Sequence, residues 1–134
     1  MDGVELNPLK IVENRKGDIF HVIKASSNMF SKFGEAYFSE IKYQEIKGWK
    51  LHKEMILNLV VPVGQVQFVI YDGSSYCSII LSKSNYQRLT IAPNLWVAFK
   101  GLSTKSSLIL NIASIEHNPD EAINKDLDQI KYDW

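Results

Sequence analysis

The amino-acid sequence predicts an all-β sandwich or barrel, and three observations carry that prediction. Strand-length apolar or alternating runs recur along the chain, bounded by turn residues such as Gly17, Gly64, Gly73 and Pro93. No stretch before residue 118 shows a helical period. A single capped, amphipathic segment then closes the chain and is the only helix expected. With 134 residues, the chain is sized for one domain, residues 1–134, with a core of useful volume.

The elements follow in order. Residues 1–9 form a polar start with a turn signal at Asn7-Pro8, and Lys10-Ile11-Val12 reads as a short strand. A tight turn over residues 14–18 leads into a strand at 19–24, in which Ile19, His21 and Ile23 share a face. His21 is therefore assigned to a sheet face rather than to chemistry. Residues 25–34 form a Ser-rich loop anchored by Met29, Phe30 and Phe33, or a single helical turn, and these apolar residues either close over a pocket or pack on a partner. Residues 35–43 alternate, with Ala36, Phe38 and Glu40 on one face and Tyr37, Ser39 and Ile41 on the other.

Residues 46–72 organise the rest. An ionisable segment (Lys47, Lys50, His52, Lys53, Glu54) runs into the apolar stretch 56–61, which only Asn58 interrupts. A Pro62-Val63-Gly64 turn follows, then a strand with Val66, Phe68 and Ile70 on one face. Asp72-Gly73 supplies the next turn. Strands are expected at 76–81, 86–92, 95–100 and 106–115, the last with Leu108, Leu110 and Ile112 on a common face. Asn118 as cap, Pro119 at the first helical position and Glu121 three residues beyond the cap start a helix over residues 118–131. Ile123, Leu127 and Ile130 give it one apolar face. The aromatic end, Tyr132-Asp133-Trp134, is expected to lie back on the domain.

Composition narrows the function classes. Apolar residues make up 46% of the chain, which excludes a disordered reading. Fifteen basic and fifteen acidic residues balance to zero, so nothing resembles a nucleic-acid footprint. The lone Cys77 cannot form an intrachain disulfide, and no run is long enough to span a bilayer. A soluble, cytoplasmic protein without membrane association is the expectation.

The segment Lys47-Gly48-Trp49-Lys50-Leu51-His52-Lys53 resembles the Arg-Gly-aromatic-His-x-His-Lys pattern of RmlC-like cupins. The branch is that of nucleotide-sugar 3,5-epimerases and 3,4-ketoisomerases acting on 4-keto-6-deoxyhexoses. Residues 93–99 and the ending from Asn118 to Trp134 extend the likeness over most of the chain. The resemblance implies a double-stranded β-helix, or jelly-roll barrel, with a short C-terminal helix. It also implies a nucleotide-linked deoxysugar as ligand, proton abstraction next to a ketone without metal or redox cofactor, and a homodimer formed by sheet extension.

Residue by residue, the match is partial. The histidine that serves the family as base falls on Lys50, while the second histidine is His52. Tyr37 matches the tyrosine of an Arg-x-Tyr segment whose arginine is Glu35 here. The family's catalytic tyrosine near the terminal segment falls on Glu116-His117. A histidine, with an unperturbed pKa of about 6.5, suits proton transfer near neutrality, whereas lysine starts near about 10.4. Either His52 is the base, with Lys50 as electrostatic partner to an enolate and Tyr37 as donor, or the chemistry differs or has been lost. The last option describes a cupin-fold sugar-binding or accessory protein without catalysis.

Lys47, Lys53, Arg88 and Lys100 are the cations available to a ligand, Trp96 a stacking surface, and His117 either a tyrosine substitute or part of the helix cap. In a regular strand, Lys50 and His52 share a face opposite Trp49. Both are expected to face the cavity beside Tyr37, with Trp96 near its mouth. The later metal-ligand histidine of metal cupins falls on Val97, and one histidine alone makes a poor transition-metal site. No metal and no cofactor are expected.

Overall fold

The computed structural model describes every residue of the chain except Met29, so the anchor expected there lies outside the described residues. Among the described residues, twelve strands carry the fold: β1 (Val4–Pro8), β2 (Ile11–Val12), β3 (Ile19–Phe20), β4 (Glu35–Ile41), β5 (Ile46–His52) and β6 (Leu57–Val63). There follow β7 (Gln65–Tyr71), β8 (Tyr76–Ser82), β9 (Gln87–Ile91), β10 (Trp96–Gly101), β11 (Ser107–Ala113) and β12 (Ala122–Asn124). Two five-stranded antiparallel sheets face each other, in the orders β1-β9-β6-β11-β4 and β12-β5-β10-β7-β8. A small β2-β3 ribbon stands apart. This is the jelly roll of the cupins.

The expected alternation holds in the strands that matter. Val66, Phe68 and Ile70 of β7 turn inward and are fully buried, and they meet Leu57, Leu59, Val61, Leu89, Ile91 and Ile109 from the opposite sheet. The β6–β7 turn requires its glycine: Gly64 sits at φ +86°, and a Cβ there would overlap the Ser107 side chain. Instead, the Ser107 hydroxyl donates to the Gln65 carbonyl at 3.1 Å and accepts from the Gln65 amide at 3.1 Å.

Two expectations are corrected. The strand foreseen at 19–24 ends at Phe20, and His21 is exposed, its amide bonded to the Lys10 carbonyl at 3.0 Å. The C-terminal helix does not form. Asn118 does cap a turn, its side chain accepting from the Asp120 amide at 3.0 Å, but the 3₁₀ turn lasts only Pro119–Glu121. Residues 122–124 then pair with β5, and a second 3₁₀ turn covers Leu127–Gln129.

The competing interaction is an open sheet edge. Backbone bonds Lys53 N to Glu121 O (2.8 Å), Trp49 N to Lys125 O (2.9 Å) and Lys125 N to Trp49 O (3.0 Å) satisfy β5. An isolated helix of that length would leave the edge unpaired. Of the anticipated apolar face, Ile130 is buried, while Ile123 and Leu127 remain exposed.

The chain end does fold back. Trp49 packs with Val69, Ala98 and Ile130, bordered by Tyr71, Trp96, Tyr132 and Trp134. Its indole donates to the Ile130 carbonyl at 3.0 Å, and the Tyr76 hydroxyl donates to the Lys131 carbonyl at 2.7 Å. No helix among the described residues is long and apolar enough to cross a membrane.

Candidate active site

Between the sheets, at the end where β4 and β5 lie, opens a cavity of about 640 Å³. Its floor is apolar: Leu57, Leu59, Phe68, Val97, Phe99 and Ile109 line it. Its polar groups come from three places. Lys47, Lys50 and His52 arrive on β5, Tyr37 and Ser39 on β4, and Asn111 on β11. A rim from the chain end adds Asn124, Lys125, Asp126 and Gln129. A concave apolar pocket with a few convergent polar groups is the usual form of a small-molecule site.

Strand geometry positions the first set. Lys50 and His52 are two residues apart in β5 and both border the cavity, whereas the Trp49 ring packs on the outer face and is 1% exposed. Gly48 permits the close approach of β10, because a Cβ there would collide with Ala98. Lys47 spans the gap between the sheets, its ammonium donating to the Glu40 carbonyl at 2.6 Å.

The decisive polar contact involves a residue that sequence reasoning treated only as part of a helix cap. Because β12 pairs with β5, placing Ala122 opposite His52, the preceding Glu121 carboxylate comes to rest against His52 Nδ1. The other carboxylate oxygen accepts from the amides of Glu54 (3.2 Å) and Met55 (3.3 Å). Glu121 is 5% exposed. Burial acts to raise its pKa, but the hydrogen bonds from His52 and the two amides outweigh burial and hold the carboxyl below its ordinary value.

A carboxylate can only accept, so Nδ1 carries the proton and donates it. That leaves Nε2 as the basic nitrogen of the neutral ring. Nothing in the local pattern of residues 118–121 distinguishes this role from capping.

Asn111 was also missed. Its signal was a polar amide in the middle of the inward face of a mostly apolar strand, between Ile109 and Ala113. The Tyr37 hydroxyl lies 3.0 Å from Asn111 Nδ2.

Five expected ligand-binding residues, Lys100 among them, do not reach the cavity. Trp96 lies on the outer face of β10, since the pleat turns Val97 and Phe99 inward and Trp96 away; Lys125 Nζ sits 4.7 Å from its ring centre. It is not at the mouth. Arg88 is buried on the far side of β9, where its guanidinium donates to the carbonyls of Val22 (3.0 Å) and Asn28 (3.1 Å) and pins the loop after β3. Lys53 lies beyond the end of β5 and points to solvent, and His117 is exposed ahead of the Asn118 turn. Among the described residues, no cluster of three or more His, Cys, Asp and Glu side chains is arranged to hold a metal ion.

The family model described as "FdtA: WxcM-like, C-terminal" matches residues 2–133. The chain belongs to this family. Among solved structures, it is similar to a dTDP sugar isomerase from Desulfovibrio desulfuricans G20, with 31% identity over 95% of this chain and 86% of that one, at a TM-score of 0.92. A sugar 3,4-ketoisomerase from Thermoanaerobacterium thermosaccharolyticum, solved with TDP, shares 18% identity over 92% of this chain and 88% of its own, at a TM-score of 0.81. The dTDP-6-deoxy-D-glucose-3,5-epimerase of Legionella pneumophila, solved with dTDP-4-keto-L-rhamnose, shares 17% over 92% and 73%, also at 0.81. The last two establish the likeness of fold. No curated protein sequence matches the chain.

Proposed function

We propose that this FdtA/WxcM-like protein is a nucleotide-sugar isomerase or epimerase that moves a proton on a carbon next to a sugar ketone. The observation that supports it most strongly is the His52–Glu121 pair at the wall of the cavity. The pair holds the imidazole in a defined orientation and tautomer, with Nε2 left to accept a proton, which is what a general base requires. A dTDP sugar isomerase 31% identical to this chain supports the same class of substrate.

His52 Nε2 takes the proton from the carbon adjacent to the ketone, and the electrons of the broken C–H bond form an enolate, with negative charge on the former ketone oxygen. Lys50, on the same face of β5, stabilises that oxygen as an ammonium, and the Tyr37 hydroxyl donates to it. Return of the proton to the opposite face of the same carbon inverts it. Return to the former ketone carbon, while the proton of the neighbouring hydroxyl passes to the former ketone oxygen, relocates the ketone. Either outcome returns every electron to the sugar, so no redox cofactor is consumed, and no metal is needed in these roles.

Lys47 and Lys125 border the cavity, and in this reading their ammonium groups turn from Glu40 and Trp96 to the charged part of a nucleotide-linked deoxysugar, while the apolar floor receives the sugar's methyl end. The protein acts as a homodimer in this reading: β4 is an edge strand, and Phe38 on its outer face is 63% exposed.

Incubation with thymidine-diphosphate 4-keto-6-deoxyglucose in deuterated buffer tests the proposal. Deuterium is expected at C3 or C5 of the sugar for epimerisation and at C4 for relocation of the ketone, so the labelled carbon tells which reaction runs. Measurable binding without deuterium entry would reject catalysis and leave a sugar-binding accessory protein, the alternative raised by a lysine at the family's base position.

A further inference from the structure

We infer that Asn111 is a positioning residue that fixes the direction of the Tyr37 hydroxyl, so that its proton is presented to the cavity. The inference rests on the donor role proposed above for Tyr37 and adds what enforces it.

The argument begins with an anomaly of composition. Beyond Ser107 at the start of β11, the inward face of β11 and the adjacent β6 is apolar, with Ile109, Ala113, Leu57 and Leu59 around Asn111, which is itself 1% exposed. In register, Asn111 stands opposite Tyr37 on one side and Leu59 on the other. Burying an amide costs free energy unless each of its groups finds a partner, and here both do. Oδ1 lies 3.1 Å from the backbone nitrogen of Asn58, and Nδ2 lies 3.0 Å from the Tyr37 oxygen.

The backbone contact decides which end of the amide is which. A main-chain N–H can only donate, so the atom facing Asn58 is the oxygen and the atom facing Tyr37 is the NH₂ group. Asn111 therefore donates to the tyrosine oxygen. A phenolic hydrogen prefers the ring plane and has two positions there. The position towards Asn111 is closed, because an N–H already points along it. The hydroxyl hydrogen must take the other, and among the described residues the Tyr37 hydroxyl has no further hydrogen-bond partner. Tyr37 and Asn111 both line the cavity.

The proton is thus directed before any substrate arrives, and nothing need reorient as charge develops on a ketone oxygen. Preorganised donors of this kind supply much of the stabilisation of an enolate-like transition state. A purely structural role would need only a side chain that fills the space between Ile109 and Ala113.

The test joins a substrate-free measurement to a double-mutant cycle. In wild-type protein, the side-chain amide of Asn111, assigned by its loss in Asn111→Leu, should give ¹H–¹⁵N resonances that shift clearly in Tyr37→Phe. Unchanged resonances would overturn the hydrogen bond on which the inference stands. In kinetics, Tyr37→Phe should lower kcat by roughly a hundredfold, as for removal of one transition-state donor. Asn111→Leu should lower it roughly tenfold with KM little changed, as a free hydroxyl loses its direction.

The double variant should be no slower than Tyr37→Phe alone, because without the hydroxyl there is nothing to direct. Losses that add in full, or an unaltered kcat in Asn111→Leu, would overturn the assignment. Asn111→Ala repeats the cycle if leucine is not accommodated. Should the wild-type protein prove inactive in the deuterium experiment, the proposed reaction falls, and the resonance measurement still decides whether Asn111 holds the hydroxyl.

Discussion

The two faces of β5 share a backbone and differ in everything else. On the inner face, Lys50 and His52 border a cavity; on the outer face, Trp49 is sealed beneath the chain end, against Ile130 and Trp134. The inner face holds polar groups with some access to solvent, and its contacts are few and directional. The outer face is a packed aromatic layer, with Trp49, Tyr71, Tyr76, Tyr132 and Trp134 in mutual contact. One strand can do both because its side chains alternate. The rigid outer layer holds the inner groups in place, so substitutions on the two faces should separate into loss of rate and loss of stability.

The largest effect on that division is expected at His52. His52→Ala should reduce turnover by roughly 10²–10⁴-fold, beside a loss of stability from the Glu121 carboxylate left without its imidazole donor; steady-state rates of the folded protein beside a melting curve check it. Equal activity in both proteins would remove His52 from the mechanism. Trp49→Ala should act mainly on stability, with a destabilisation of about 3–5 kcal/mol visible in denaturant unfolding. Any protein that stays folded should keep a measurable rate. If that rate were abolished at full stability, the division between the faces would fail.

Lys50→Ala comes next. Turnover should fall roughly tenfold or more, with substrate affinity changed less, if the ammonium acts on the enolate rather than on the ground state. Separate measurement of kcat and of binding decides this.

Glu121 joins the two faces, since β12 brings it to His52 along the edge of β5. Three donors converge on its carboxylate, and a glutamine offers one acceptor atom where two are needed, so Glu121→Gln should cost both rate and stability. The pH dependence has a definite sign. The folded-state pKa of Glu121 lies below its ordinary value, so its contribution to stability is fully present above the unfolded value of about 4.3. It is lost as pH falls through the lower folded value. Wild-type protein should therefore lose stability more steeply than Glu121→Gln on the acid side, as followed by melting temperature against pH. The smallest effects belong to Lys53→Ala and His117→Ala. Both side chains are exposed and outside the cavity, and each change should stay within about 0.5 kcal/mol with unaltered turnover.

Much of this was legible in the chain. The alternation of β4 put Tyr37 and Ser39 on one face, and that of β5 put Lys50 and His52 on another; both faces turn out to be cavity walls. The turns at Gly64 and Gly73 stand where their residue types required. Trp96 was misplaced for a readable reason: it was assigned by its aromatic character and not by its parity with Val97, which the same alternation would have settled. Arg88 was assigned by charge alone, and its burial beneath the loop that includes Val22 and Asn28 follows from no local pattern.

What the sequence by itself determined was the period-two order of its strands, the places where they turn and the face each residue takes. These depend on neighbours in the chain and on backbone sterics. Only the tertiary structure decided that residues 122–124 would extend a sheet instead of continuing a helix. The open edge of β5 offered backbone partners that a local cap signal cannot anticipate. The same pairing brought Glu121 to His52 across 69 residues of sequence, and sheet register brought Asn111 to Tyr37 across 74. Contacts at such separations are selected by packing and hydrogen-bond satisfaction in the folded whole, and the chemistry of the candidate site is made of them.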